Sequence, residues 1–241
     1  MSSKGRGPVA STSLWETPSW VVRRLVEEVW LPAGTWLEPN AGPGGIIRAM
    51  TEDQPSSYQF TAVELRKECG AQLVDIPSVV QLYAGEDFLT WNARDACGKE
   101  SPEDRSCSPT SYFTGAITNP AFEISMEVLS KCLTICDYVA MLQRLNWLGC
   151  GTNNGKNELL RKMPPDVYVI PDRVQFLLNG EFPRYPDGAK DGKGRSIAGR
   201  KMPGDSIEYC WYVWGPKEER QREFGRLKNL RETDVAERMS G

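Results

Sequence analysis

The residues best suited to chemistry stand where apolar, strand-like runs end. Glu38, Asn40, Gly42, Gly44 and Gly45 follow the run TWLE (35–38). Glycines let a backbone approach a ligand closely, and a carboxylate just ahead of them can meet a cationic amine or an intervening water. Glu64 closes YQFTAVE (58–64), where a carboxylate can accept both hydroxyls of a ribose. Asp87 follows VVQLYAG (79–85) and precedes Phe88, giving an acceptor for an exocyclic amine beside an aromatic face. A further run, GAIT (115–118), ends in Asn119-Pro120-Ala121-Phe122 rather than in ordinary turn residues.

Each feature alone has a plainer reading. A lone glycine loop is usually a turn, and carboxylates at strand ends are often helix caps or solvated groups. Their order along the chain carries the joint signal. A dinucleotide loop would need a third glycine where this chain has Ile47, so a nicotinamide cofactor is disfavoured.

The chain contains no histidine, which removes Ser-His-Asp, Cys-His and His-metal chemistry. Any reaction here must proceed without imidazole. Seven cysteines (69, 97, 107, 132, 136, 150 and 210) form an odd set with no CxxC pair, against a disulfide framework and a standard zinc site; buried free thiols are expected, and no metal. A net charge of -3 gives no general attraction to polyanions, so a nucleic-acid partner requires a local basic surface. No apolar run suits a membrane span, and the amino terminus MSSKGRGPVASTS has no apolar core of a secretory signal, so a cytoplasmic protein is expected.

These residues need elements to position them. The 241 residues suit one main domain. Thr17-Pro18 opens a helix over 17–31, with Thr17 as N-cap and Val21, Val22, Leu25, Val26 and Val29 on one face. Seven apolar runs read as strands: 35–38, 58–64, 79–85, 115–118, 138–143, 166–170 and 207–214. Helical spacing separates several of them, as at 122–135, and continuous apolarity suits strands covered on both faces. The expected fold is therefore α/β, with a mostly parallel, Rossmann-like sheet and helices on both faces. Residues 92–110 read as a surface loop, 171–206 as a Gly/Pro-rich basic insertion, and 216–241 as a C-terminal helix packing through Phe224, Leu227 and Leu230.

With these motifs in hand, the chain resembles the class I S-adenosylmethionine-dependent methyltransferases, specifically the small phage-type DNA adenine-N6 enzymes. The resemblance runs from about Trp15 to Gly215 and rests on ETPSWVV, LEPNAGPGG, Glu64, GEDFL, TNPAFE, QRLNWLG and EYCWYVWG. It implies a seven-stranded methyltransferase domain over 1–241, S-adenosylmethionine as donor, and DNA as partner, with a monomer or dimer both open. It also implies that Asn119 Oδ1 and the Pro120 carbonyl accept the hydrogens of the target amine while Phe122 stacks on the base. Thr17 and Pro18 would help bind the methionine end of the donor, Glu38 and the glycine loop its amino-acid portion, Glu64 the ribose and Asp87 the adenine. Ala121 departs from the family pattern, which has a second proline there. Trp15, Trp20 and Trp36 read as core.

For a polynucleotide, Arg173, Arg184, Lys190, Lys193, Arg195, Arg200 and Lys201 oppose Glu181, Asp187 and Asp191, a local excess of four positive charges. Glycine-rich flexibility there would suit ordering on phosphates, and a solvated loop is the plainer alternative. Arg144, Asn146 and Trp147 follow the fifth strand and either line the target pocket or cap a helix. Arg173-Val-Gln-Phe176 stands where the family often has Arg-x-Ser-Phe. Other acceptors with an NH2 group stay open: cytosine N4, RNA adenine and a protein glutamine amide. A donor- or DNA-binding module with impaired catalysis is the alternative of a different class.

Overall fold

The computed structural model describes residues 14–97, 111–149, 154–202 and 207–216, and the backbone of 227–229. In chain order the first elements are strand β1 (Trp15–Glu16), helix α1 (Ser19–Glu28), β2 (Gly34–Glu38), α2 (Gly45–Thr51) and β3 (Tyr58–Glu64). A 3-10 turn, Lys67–Cys69, leads into α3 (Gly70–Val74), followed by β4 (Val79–Ala84), α4 (Arg94–Cys97) and β5 (Phe113–Thr118). A second 3-10 turn, Phe122–Ile124, enters α5 (Ser125–Ile135), then β6 (Cys136–Arg144), α6 (Asn154–Lys162), β7 (Asp166–Ile170), β8 (Leu177–Leu178), β9 (Tyr209–Trp214) and β10 (Leu227–Asn229).

The main sheet has the order β10-β7-β9-β6-β5-β2-β3-β4, and only β9 runs antiparallel to its neighbours. All seven expected strands are present in a mostly parallel sheet. The chain builds outward from β2 through β3 to β4, then returns to lay β5 on the other side of β2. That reversal opens a crevice at the carboxyl ends of β2 and β5, where ligands of open α/β sheets bind.

Period-two alternation explains why the strand sequences are apolar throughout. Trp36, Phe60, Ala140, Leu142, Tyr209 and Trp211 face one core with Val21, Val22 and Leu25 of α1 and Ile47 of α2. Leu37, Val63, Val139, Met141, Cys210 and Tyr212 face the opposite core with Val128, Leu129 and Cys132 of α5. Both faces are covered, so no alternating polar set survives. Two of the indoles satisfy their N–H groups within this packing: Trp36 Nε1 donates to the Pro32 carbonyl at 3.0 Å and Trp211 Nε1 to the Val21 carbonyl at 3.0 Å. Room for Trp36 comes from its cross-strand partner Gly115, where a Cβ would fall 2.6 Å from the ring.

Four expectations change. Helix α1 starts at Ser19 with Pro18 as its N-cap residue in extended conformation, and no side chain caps it. The Thr17 hydroxyl is instead committed to the loop after β5. Within the supposed loop 92–110, Arg94–Cys97 forms α4, and 98–110 lie outside the described residues. Within the supposed C-terminal helix, Leu227–Asn229 is a strand that pairs in parallel with β7. Without it β7 would be a bare sheet edge, and its unpaired N–H and C=O groups outweigh the local three-residue apolar spacing. The rest of that helix lies outside the described residues. Trp15 is 38% exposed rather than core, while Trp36 is fully buried.

Among the described residues no helix is long and apolar enough to cross a membrane. Cys69, Cys132, Cys136 and Cys210 are free and buried, as expected. Burial pushes all four thiols up, Cys69 to about 11 and Cys210 to about 12, so they stay protonated near neutrality. The other three cysteines fall among residues whose side chains are outside the description.

Candidate active site at the carboxyl edge of the sheet

Glu38 ends β2 and is 1% exposed. The loop after it turns through Gly42 (φ 51°) and Gly44 (φ 93°), left-handed positions that a side chain would strain. At Gly44 a Cβ would also fall 2.4 Å from Ile76 Cδ1, whereas at Gly42 nothing lies within 4 Å, so that stretch of the loop borders open space. Glu64 fixes the loop from the next strand. Its Oε2 accepts the Gly42 N–H at 2.7 Å and its Oε1 accepts the Arg66 N–H at 2.9 Å. The carboxylate expected to meet a ribose therefore also staples the glycine loop to β3.

Along the same edge, buried polar atoms lack partners among the described residues: both Glu38 carboxylate oxygens, Asn40 Oδ1, Thr118 Oγ1 and Gln143 Oε1. Burial raises the Glu38 pKa well above the usual 4.5, and the nearby Glu64 charge adds to the effect. The Thr118 hydroxyl offsets part of this, yet it makes no well-formed bond to either oxygen. Each orphaned buried group costs about 1–3 kcal/mol. Those on β2, the loop after it and β5 form an acceptor-rich edge suited to a ligand bearing N–H and O–H donors.

The loop after β5 completes the edge. Asn119 Nδ2 donates to Thr17 Oγ1 at 3.2 Å, and the Pro120 carbonyl accepts Gln143 Nε2 at 3.2 Å. The Phe122 carbonyl accepts Ser125 Oγ at 2.9 Å, and Ser125 Oγ in turn accepts Trp147 Nε1 at 3.0 Å. The Arg144 guanidinium lies 4.0 Å from the Phe122 ring centroid, a cation–π contact. Ala121 has φ -55° and ψ 140°, and that φ lies within the range that a proline ring would fix.

Other expected site residues divide. Pro18 is buried beside Thr17 and lines an open cleft of about 470 Å³ with Trp20, Phe182 and Arg184. Asp87 is exposed, and its Oδ1 accepts the Leu89 N–H at 2.9 Å, an ordinary turn bond that leaves the second oxygen without a hydrogen bond among the described residues. Two aromatic residues do not reach the crevice. Phe88 is 3% exposed and packs against Trp91, with Lys131 Nζ 4.7 Å from its centroid. Trp147 is 8% exposed between Tyr212 and Trp214, so it braces Ser125 rather than facing a nucleic acid. Both aromatics stand just past a strand, and both pack into the second core. Gln143 and Lys131 are not among the candidate residues read from the sequence. Gln143 could have been noticed as the one amide closing the apolar run YVAMLQ, while Lys131, which donates to the carbonyls of Phe88, Leu89 and Trp91, left no sequence signal.

The basic insertion is more structured than an irregular glycine-rich loop. Strand β8 pairs with β1, and bridges join Leu178 to Glu181, Arg184 to Lys201 and Lys190 to Ser196. Backbone bonds such as Tyr185 N–H to the Arg200 carbonyl (2.9 Å) fold 183–202 back on itself. Local turns at Gly188, Gly194 and Gly199, all at positive φ, are what the glycines supply. Arg173, Lys193, Arg195, Arg200 and Lys201 are exposed, as is Asn146 beyond β6. Arg195 Nε is bound to Asp191 Oδ2 at 2.8 Å, and Lys201 Nζ sits 3.4 Å from the Phe182 centroid.

No family model matches the sequence, and no curated protein is similar to it in sequence. Solved structures share its architecture. A protein named as a class I S-adenosylmethionine-dependent methyltransferase, from Listeria monocytogenes, aligns with a TM-score of 0.50 at 10% identity, over 92% of this chain and 67% of its own. A protein named as a modification subunit of a type I restriction enzyme, from Vibrio vulnificus YJ016, aligns with a TM-score of 0.50 at 13% identity, over 96% of this chain and 53% of that one. The chain spans about half the length of the Vibrio protein. Strand order, the single antiparallel strand and these alignments agree: the chain has the class I methyltransferase fold.

Proposed function

We propose that this protein transfers a methyl group from S-adenosylmethionine to the exocyclic N6 amine of adenine in DNA. The observation that carries the reading is the Asn119-Pro120 loop, fixed at the switch point beside the orphaned acceptors of Glu38, Asn40 and Thr118. When bound, S-adenosylmethionine supplies an electrophilic methyl carbon on a positively charged sulfur that departs as a neutral thioether.

The residues present fit that donor. Glu38 and Asn40 offer buried acceptors to its ammonium end, Gly42 and Gly44 keep the backbone close, and Thr17 and Pro18 flank its methionine portion. Glu64 retains lone pairs for ribose hydroxyls beyond the two N–H bonds it accepts, and the second oxygen of Asp87 suits the adenine amine. The Phe88 ring has no part in this, because it is core.

The target amine is a poor nucleophile because its lone pair is delocalised into the ring. As nitrogen attacks carbon it becomes more positive, so its two N–H groups become stronger donors. Asn119 Oδ1 and the Pro120 carbonyl accept them, an interaction worth more in the transition state than in the ground state. One amine proton then leaves to solvent and the lone pair returns to the ring, so no imidazole is required. Phe122 stacks on the extruded base, a contact worth about 1–3 kcal/mol in single-strand binders. Rotating the base out of a duplex costs a few kcal/mol. The exposed cations of the folded insertion supply phosphate contacts.

Incubation with methyl-labelled donor and duplex or single-stranded DNA, followed by digestion to nucleosides, tests the reading. Label is expected in N6-methyl-2′-deoxyadenosine and absent from an Asn119→Ala variant that still binds donor by calorimetry. Label in N4-methylcytosine alone, or only in RNA or protein, would overturn the adenine assignment.

A further inference from the structure

Gln143 is fully buried on β6, after the apolar residues Met141 and Leu142. One end of its amide works and the other does not. Nε2 donates to the Pro120 carbonyl at 3.2 Å, while Oε1 is buried without a partner among the described residues. A methionine of similar length would fill the space with no polar atom of its own to orphan, but it would leave the Pro120 carbonyl without this donor. An amide that carries such a cost persists where its working end is needed.

The bond falls on the peptide plane that joins Pro120 to Ala121. That plane turns through φ of Ala121, which a proline ring would lock and alanine leaves free. Ala121 nevertheless sits at φ -55°, inside the range of proline. A carbonyl oxygen has two lone pairs, so Gln143 can hold one while the other faces the crevice.

We propose that Gln143 is a positioning residue: its Nε2–H bond to the Pro120 carbonyl holds that acceptor in place and substitutes for the ring missing at residue 121. This inference rests on the functional reading above, in which the Pro120 carbonyl accepts a hydrogen of the target amine.

The test compares the wild type with Gln143→Met, Ala121→Pro and the double variant. Gln143→Met is expected to lower kcat about 10- to 100-fold, the scale of a reacting group displaced by a fraction of an ångström to an ångström. Donor affinity by calorimetry should stay within about threefold, since the donor contacts are elsewhere. The melting temperature should stay within a few degrees, because the methionine removes one orphaned acceptor while creating another at Pro120. Adding Ala121→Pro should restore most of kcat, a rescue that a purely structural role for Gln143 does not give.

A second readout is independent of turnover. Only Ala33 and Ala121 follow a proline, so labelling proline carbonyls with carbon-13 and alanine amides with nitrogen-15 isolates two signals. In Gln143→Met the Ala121 signal should broaden or shift while that of Ala33 stays. An unchanged Ala121 signal with wild-type kcat overturns the proposal, as does a loss of activity that follows loss of folded protein and is not rescued by proline. A wild-type protein that methylates no acceptor sinks the functional reading instead, and the Ala121 signal still decides the tether.

Discussion

Asn119 and Thr17 lie 102 residues apart and are joined by a 3.2 Å hydrogen bond from Asn119 Nδ2 to Thr17 Oγ1. The bond commits the nitrogen end of the amide to the segment ahead of α1, which leaves Oδ1 as the end available to an incoming amine. Thr17 does not cap α1 because Pro18 holds the N-cap position, one residue further along the chain.

Replacing Thr17 with valine keeps the shape and removes the acceptor. The Asn119 amide then loses its orientation, and kcat should fall about tenfold, a loss of roughly 1.4 kcal/mol in transition-state stabilisation. Stability should drop by about 1 kcal/mol, the usual worth of one such bond. Thr17→Ser should retain both. Steady-state methyl transfer and urea denaturation check the pair, and equal kcat for valine and threonine would remove Thr17 from the site.

Ala121→Pro alone should stabilise the fold by about 0.4–1 kcal/mol, by restricting the unfolded chain at a position whose native φ suits the ring. The Ala121 N–H donates no hydrogen bond among the described residues, so none is lost. The midpoint of urea unfolding should rise with unchanged slope. A fall would mean that the ring clashes with Pro120 or that φ relaxes away from -55° in solution.

Much of this architecture was legible because it is written in strand periodicity. The seven apolar runs, their order between helices, and the loop after Glu38 follow from local sequence, and the structure has them. What periodicity could not resolve was which way an aromatic at a strand end turns. Phe88 and Trp147 look alike as site candidates and as core, and only the packing of α5 and β9 against them decides for core. The strand Leu227–Asn229 was hidden for a different reason: its stabilisation comes from an open sheet edge some sixty residues earlier, which no local pattern encodes. Gln143 closes an apolar run in the sequence, but its target, the Pro120 carbonyl, is set by the β5–β6 pairing.

The buried Glu38 makes stability depend on pH in an unusual direction. Its folded pKa is raised above 4.5, so between the unfolded and folded values the native state holds a proton that the unfolded state has lost. Stability therefore falls as pH rises through that window and stays lowered above it. Glu38→Gln abolishes the titration. Its melting temperature should exceed that of the wild type near neutral pH, and the gain should vanish towards pH 4.5. The shift in melting temperature on adding S-adenosylmethionine should shrink in the same variant. A destabilised glutamine variant at neutral pH would show that the carboxylate has a partner in the free protein.

The folded insertion predicts unequal roles for its cations. Asp191 accepts the backbone N–H groups of Lys193 and Arg195 as well as Arg195 Nε, and these bonds lower its pKa, the Arg195 backbone bond most. Arg195 therefore closes a turn, while Lys193 and Arg200 point their charge outward. If each of the latter neutralises one phosphate, Lys193→Ala and Arg200→Ala should each reduce the slope of log affinity against log salt by about 0.9 on duplex DNA or about 0.7 on single strands. Arg195→Ala should loosen the turn and weaken binding with a smaller change in slope, because its guanidinium is already paired to Asp191. Salt titrations of fluorescently labelled DNA distinguish these outcomes. Unchanged slopes for both Lys193→Ala and Arg200→Ala would move the polynucleotide away from this face of the protein.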